Sequence, residues 1–268
     1  ILARRARVKS AIAFGSVLTL PATGSEMNSG AVVTRRAGHD KLAFLNPLLF
    51  PRFSVLDPSK TFTLPPRQVA NGVVDAFVHI AEQYLTYPVD ARVQDRFAEG
   101  LLQTLVEIAP GALAEPPDYD HRANLMWTAT LALNGLIGAG VPQDWATHMI
   151  GHELTALYGI DHARTLAIVL PSLMQSQRAA KRDKLLQYAE RVWHVSGGTE
   201  DERIDAAIAH TRAFFESVGI PTRLSAYGLG REAVDAVVAQ LTAHGMLKLG
   251  EHRSITPEVS RAILEAAL

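Results

Sequence analysis

The chain contains no cysteine, and that one absence removes disulfides, thiolate nucleophiles and thiolate metal ligands together. Any metal must then be held by imidazole and carboxylate. An excess of one charge is missing too: 26 basic residues stand against 27 acidic ones and the pI is near 6.9, so the basic footprint of nucleic-acid binding is not there. No apolar run approaches the roughly 18 residues read as a membrane span. The greasiest stretch, Leu131 to Val141, is cut by Asn134 and by Gly135, Gly138 and Gly140. The opening Ile-Leu-Ala-Arg-Arg-Ala-Arg is basic but has neither the apolar core nor the cleavage site of a signal peptide. There is no Gly-x-Gly-x-x-Gly and no Walker loop, so a complete nucleotide-binding fingerprint is lacking. The expectation is a soluble, cytoplasmic globular protein with no nucleic-acid or membrane partner. Position 1 is not Met, which points to a processed or partial product.

What is present is histidine, in a pattern. Trp-Ala-Thr-His-Met-Ile-Gly-His-Glu-Leu-Thr-Ala-Leu-Tyr-Gly-Ile-Asp-His runs from Trp145 to His162 and sets His148 and His152 four residues apart, on one face of a helix. Gly159 offers a helix stop, and His162 follows just beyond it. Upstream, Asn-Gly-Val-Val-Asp-Ala-Phe-Val-His places Asp75 and His79 at the same one-turn spacing. Together the two stretches offer one oxygen and two or three nitrogens, a set that suits zinc or ferrous iron. The bland alternative is a pair of hydrogen-bonded core histidines, and spacing by itself does not choose between His148 and His152 as a ligand. A metalloprotease helix is ruled out, because His152-Glu153 is followed by Ala156 where the second imidazole of His-Glu-x-x-His would fall.

The texture changes once along the chain, near residue 66. From Ser10 to about Leu64 short β-branched runs alternate with Gly, Pro and Asn, and Ala11 to Leu20, Ala31 to Thr34 and Phe53 to Leu56 read as strands. After Pro65-Pro66 everything reads as helix: Arg67 to Leu85, Asp90 to Ala109, His121 to Ile137, Gln143 to Leu157, His162 to Ala179, Arg182 to Val195, Glu200 to Val218, Arg231 to His244 and Pro257 to Ala267. Thr199 with Glu202 forms a capping box, and Thr256-Pro257 is a cap with its first turn. Within the strand-rich part, Leu-Thr-Leu-Pro-Ala-Thr-Gly-Ser-Glu ending at Glu26 follows an apolar strand with hydroxyls and a glycine. Such a strand end can hold phosphate or ribose, with Lys41 supplying the matching charge. It can equally be a polar turn.

These stretches, together with Leu-Pro-Pro-Arg-Gln-Val-Ala-Asn-Gly-Val-Val-Asp-Ala-Phe-Val-His ending at His79 and Gly-Ala-Gly-Val-Pro-Gln-Asp-Trp-Ala-Thr-His running on to His162, resemble the iron-containing, or group III, alcohol dehydrogenases. The likeness is greatest to the bacterial NADPH-dependent aldehyde reductase and butanol dehydrogenase branch and runs over essentially the whole chain. The resemblance implies that Asp75, His79, His148 and His162 are the metal ligands. It implies that His152 stands beside substrate and nicotinamide as the catalytic residue, and that Thr19, Thr23, Ser25, Asn28 and Lys41 meet the cofactor. Leu20 departs from the Thr common at its position in other branches. The implied cofactors are a divalent metal, Fe2+ or Zn2+, and NADP(H).

The implied fold class is a dehydroquinate synthase-like architecture, an α+β remnant followed by an all-α region. Residues 1–66 would be the last part of a truncated Rossmann-like nucleotide-binding domain and residues 67–268 a complete all-helical metal-binding domain. Family members carry a Gly-Gly-Gly-Ser pyrophosphate loop in an amino-terminal half, and it would lie ahead of Ile1; the isolated chain is therefore expected to be inactive. The expected reaction is hydride transfer between NADP(H) and small primary alcohols or aldehydes, in a homo-oligomer such as a dimer. The rival readings are a polyol dehydrogenase, a cyclising lyase on the same architecture, and an inactive metal-binding or oligomerising module. The lyase is disfavoured because its phosphorylated substrate would want more Lys and Arg near the site.

Overall fold

The computed structural model describes residues 6–38 and 40–268. Among the described residues the strands all precede the α-helices. β1 (Ser16–Val17) pairs in parallel with β4 (Ser54–Val55), while β2 (Gly30–Arg35) and β3 (Asp40–Leu45) form an antiparallel hairpin. Of the expected run Ala11 to Leu20 only two residues are strand, because only Ser16 and Val17 find a ladder partner. β3 was not expected, and its partner across the turn is the strand read at Ala31 to Thr34.

The nine expected helices are all found among the described residues: α1 (Pro66–Tyr84), α2 (Arg92–Ala112), α3 (Tyr119–Leu133), α4 (Ala146–Tyr158), α5 (His162–Ser176), α6 (Arg182–Arg191), α7 (Glu200–Ser217), α8 (Arg231–Ala243) and α9 (Pro257–Glu265). The ends differ where loops take left-handed residues. α3 stops at Leu133 rather than Ile137, since Asn134 turns its amide oxygen onto the Leu136 N–H and Gly135 adopts φ 93°. α6 ends before the left-handed His194.

α1 is the axis of the molecule. Every residue from Val69 to Tyr84 is buried, and the helix packs on α2, α3 and α5. Val73, Phe77 and Ile80 are fully enclosed, each contributing about 1.5–3 kcal/mol by leaving water. A second apolar core joins α4, α5, α8 and α9 through Ile150, Leu154, Val169, Val237 and Ile263. α5 lends side chains to both cores, so α1 and α4, which carry the aligned polar residues, are held against one common helix.

Two buried cations fix the ends of these elements. Arg122 donates from Nε to the Ala112 carbonyl at the end of α2 (2.8 Å) and from a terminal nitrogen to the Thr61 carbonyl (2.6 Å). Lys181 donates to the Leu85 carbonyl just after α1 (2.7 Å) and pairs with Asp144 (2.8 Å) and Glu251 (2.7 Å). The other oxygen of Asp144 accepts the Ala146 N–H (2.9 Å) and so satisfies the first turn of α4. The start of the histidine helix is thereby tied to the end of α1.

Candidate metal centre

On α1 the one-turn spacing brings Asp75 and His79 to the same buried face, and α4 sets His148 opposite them. One ligand-capable atom from each of these three lies within 4.8 Å of the others. The His79 and His148 rings stack at 4.7 Å between centroids. His162, the first residue of α5, comes in from the side with its Nε2 3.8 Å from Asp75 Oδ1, while His79 Nε2 is 3.7 Å from the same oxygen. Both separations exceed a hydrogen bond. Asp75 Oδ1 and His148 Nε2 are buried without a hydrogen-bond partner, an arrangement that would be costly if nothing bridged it. Two donors on one ion, each about 2.0–2.2 Å from it, stand less than about 4.4 Å apart. The donor set therefore fits a divalent ion held by imidazole and carboxylate.

Electrostatics supports the same use. Burial lowers the pKa of His79 and of His148 to about 4, outweighing the opposing pull of Asp75. His162 is also pushed well down, first by burial and then by its neighbours His148 and Lys41. The imidazoles are thus neutral at pH 7, the state in which they can ligate. His152, one turn after His148, lies with its ring 4.9 Å from His162 and 6.1 Å from His148. Burial, then Lys41 and the other imidazoles, depresses its pKa to about 2.

The loop from Leu18 to Asn28 is brought to this centre by Gly72, one turn before Asp75. A Cβ on Gly72 would sit 2.3 Å from the Pro21 carbonyl oxygen, so only glycine lets the loop backbone rest on α1. Thr19, Thr23 and Ser25 stand exposed on that loop. Asn28 is used by the loop itself: its amide donates to the Thr23 carbonyl (2.9 Å) and accepts the Gly30 N–H (3.0 Å). β3 lies against α4, and Lys41 on it is close enough to the imidazoles for its charge to lower their pKa values. Burial lowers Lys41 itself to about 8, with Asp75 opposing.

Several supporting residues were not anticipated. Glu82 on α1 receives His148 Nδ1 and the Thr147 N–H. Asp161, just before His162, accepts from Arg67 Nε (2.7 Å) and Asn71 Nδ2 (2.8 Å), pinning the start of α5 to α1. Trp145 takes φ 63° immediately before α4, a conformation costing about 1–3 kcal/mol for a bulky residue. Its indole donates to Gln143 (2.7 Å) and its ring meets His148 at 5.2 Å and His79 at 6.1 Å. Glu82 sits three residues after His79 on the same helix, which is the one signal that the sequence offered.

Residues 69–268 match the model of the C-terminal region of the Fe-containing alcohol dehydrogenase family, and residues 2–58 match the iron-containing alcohol dehydrogenase model. The chain belongs to the iron-containing alcohol dehydrogenase family. Among its relatives is the NADPH-dependent aldehyde reductase YqhD of Escherichia coli (strain K12), 65% identical over 260 residues that cover 97% of this chain and 67% of that protein. The probable NADH-dependent butanol dehydrogenase 1 of Bacillus subtilis (strain 168) is 39% identical over 270 residues, covering 100% of this chain and 69% of the relative. The crystal structure of the E. coli K-12 protein superposes with a TM-score of 0.96 over 97% of this chain and 67% of that one, at 65% identity. The NADH-dependent butanol dehydrogenase A of Thermotoga maritima does so with a TM-score of 0.92, 32% identity, and coverage of 98% and 68%.

Proposed function

We propose that the protein is a metal-dependent oxidoreductase that interconverts small primary alcohols and aldehydes with NADP(H). The observation that carries this reading is the close grouping of Asp75, His79 and His148, with His162 Nε2 3.8 Å from Asp75 Oδ1 and with Asp75 Oδ1 and His148 Nε2 buried and unpartnered, in a chain 65% identical to an NADPH-dependent aldehyde reductase. When bound, the ion would supply Lewis-acid polarisation of the carbonyl oxygen and the nicotinamide would supply the hydride. The protein's own residues bind and orient. Residues 67–268 form the metal-holding domain in this reading, and residues 1–66 contribute the nucleotide side.

The exposed hydroxyls of Thr19, Thr23 and Ser25 meet ribose and phosphate, and Lys41, still largely a cation at neutral pH with its pKa near 8, balances phosphate charge. Asn28 acts by holding the loop in shape. His152 is neutral, so it can hold the substrate oxygen by a hydrogen bond and accept the alcohol proton only in passing. Trp145 closes one side of the site against His79 and His148 and excludes water. The proposed assembly is a homodimer, a reading supported by the exposed Val32, Val33 and Leu45 of the β2–β3 hairpin.

The reading is tested by a steady-state assay with butanal and NADPH. Turnover in the usual enzymatic range of about 1–10³ per second is expected, lost on chelation and restored by ferrous iron or zinc. Turnover unchanged by complete metal removal, or a preference for polyols over butanal, would contradict it.

A further inference from the structure

We infer that Glu82 is the positioning residue that selects the ring nitrogen through which His148 binds metal; the inference rests on the metal reading above. His148 has two nitrogens, and neutral imidazole carries its proton on one of them. Nε2 is the nitrogen left buried without a partner, whereas Nδ1 is engaged by a carboxylate oxygen of Glu82. The second Glu82 oxygen accepts the Thr147 N–H at 2.6 Å, so an amide from the residue just before His148 fixes the carboxylate plane. The Asp144 N–H, donating to the Glu82 main-chain carbonyl at 2.9 Å, ties this part of α1 to the segment that enters α4.

A carboxylate offers only acceptors. With one oxygen filled by an amide hydrogen, the other can only receive a proton from His148, which places that proton on Nδ1 and leaves the Nε2 lone pair facing Asp75 and His79. The side chains of Glu82 and His148 are 2% and 6% exposed, so water cannot substitute for either partner. Among the described residues this buried carboxylate pairs with His148 and with no Lys or Arg. Loss of a carboxylate behind a ligating imidazole typically weakens metal affinity by about 10–100-fold.

Glu82→Gln discriminates, because glutamine keeps the shape but has one acceptor for two converging donors. Zinc affinity is measured by chelator competition on metal-free protein, alongside the melting temperature with and without zinc. The expected result is affinity weakened about 10–100-fold and a smaller zinc-induced rise in melting temperature, with the metal-free melting temperature little changed. Wild-type zinc affinity in Glu82→Gln would overturn the assignment. A His148→Ala control separates the two levels: if it loses zinc while Glu82→Gln does not, only the role of Glu82 fails, and if it binds zinc as wild type does, the metal reading fails and takes this one with it. Should Glu82→Gln not fold, nitrogen-detected NMR of the zinc-loaded wild type answers the same question. A His148 ring protonated at Nδ1 and metal-bound at Nε2 is expected; the opposite tautomer would refute the inference.

Discussion

Replacing His79 and His148 together by alanine is expected to abolish tight binding of divalent metal, taking the protein from about one ion per chain to almost none. The two imidazoles stack face to face and supply half of the proposed donors, one from α1 and one from α4. What remains is Asp75 and His162, and the His162 side chain is the most exposed of the four at 24%. Structural zinc sites with four ligands bind with about 10–16 kcal/mol. Losing half the ligands forfeits roughly half of that, about 5–8 kcal/mol, or more than three powers of ten in affinity. The fold should survive, since α1 keeps Val73, Phe77 and Ile80 in the core. Metal analysis of the purified variant decides the point. Wild-type metal content would mean that the ion, if there is one, sits elsewhere.

His152→Ala is expected to do the reverse, keeping the metal and losing turnover. Its ring borders those of His148 and His162, but it belongs neither to the close group of Asp75, His79 and His148 nor, unlike His162, to the imidazoles whose Nε2 approaches Asp75 Oδ1. With a pKa near 2 it cannot serve as a resident imidazolium. Its proposed use is to hold the substrate oxygen and let the proton pass, work for which a positioned side chain typically contributes about 10²–10⁴-fold. The kcat should fall by about that factor while metal content stays at the wild-type level. Loss of metal from His152→Ala would make it a ligand and remove this role.

The site was legible in the sequence to the extent that it obeys helical spacing. Asp75 with His79 and His148 with His152 are one-turn pairs, and the structure puts each pair on one helix. Gly159 ends α4 in the left-handed conformation, as a glycine at that place signals. Which of His148 and His152 faces Asp75 depends on how α4 is rotated about its axis, and tertiary packing sets that. Glu82 was passed over because a carboxylate within a helix ordinarily faces solvent, and only the packing of α4 on α1 buries it. The start of α4 was read at Gln143, three residues early, because no local preference places a tryptophan at φ 63°; its contacts with Gln143, His79 and His148 do so. The hairpin strand β3 escaped notice since Asp-Lys-Leu-Ala-Phe-Leu shows no clean alternation, and its pairing with β2 is a long-range outcome.

The central claim is that one divalent ion is bound by Asp75, His79, His148 and His162. The most direct measurement is anomalous diffraction from crystals of the zinc-loaded protein, recorded on both sides of the zinc absorption edge. The account predicts a single strong peak per chain within about 2.0–2.2 Å of a donor atom from each of the four residues, with His148 approached at Nε2 and His152 outside that distance. A peak bound by His152 in place of one of the four, or the absence of any peak between α1 and α4, would contradict it.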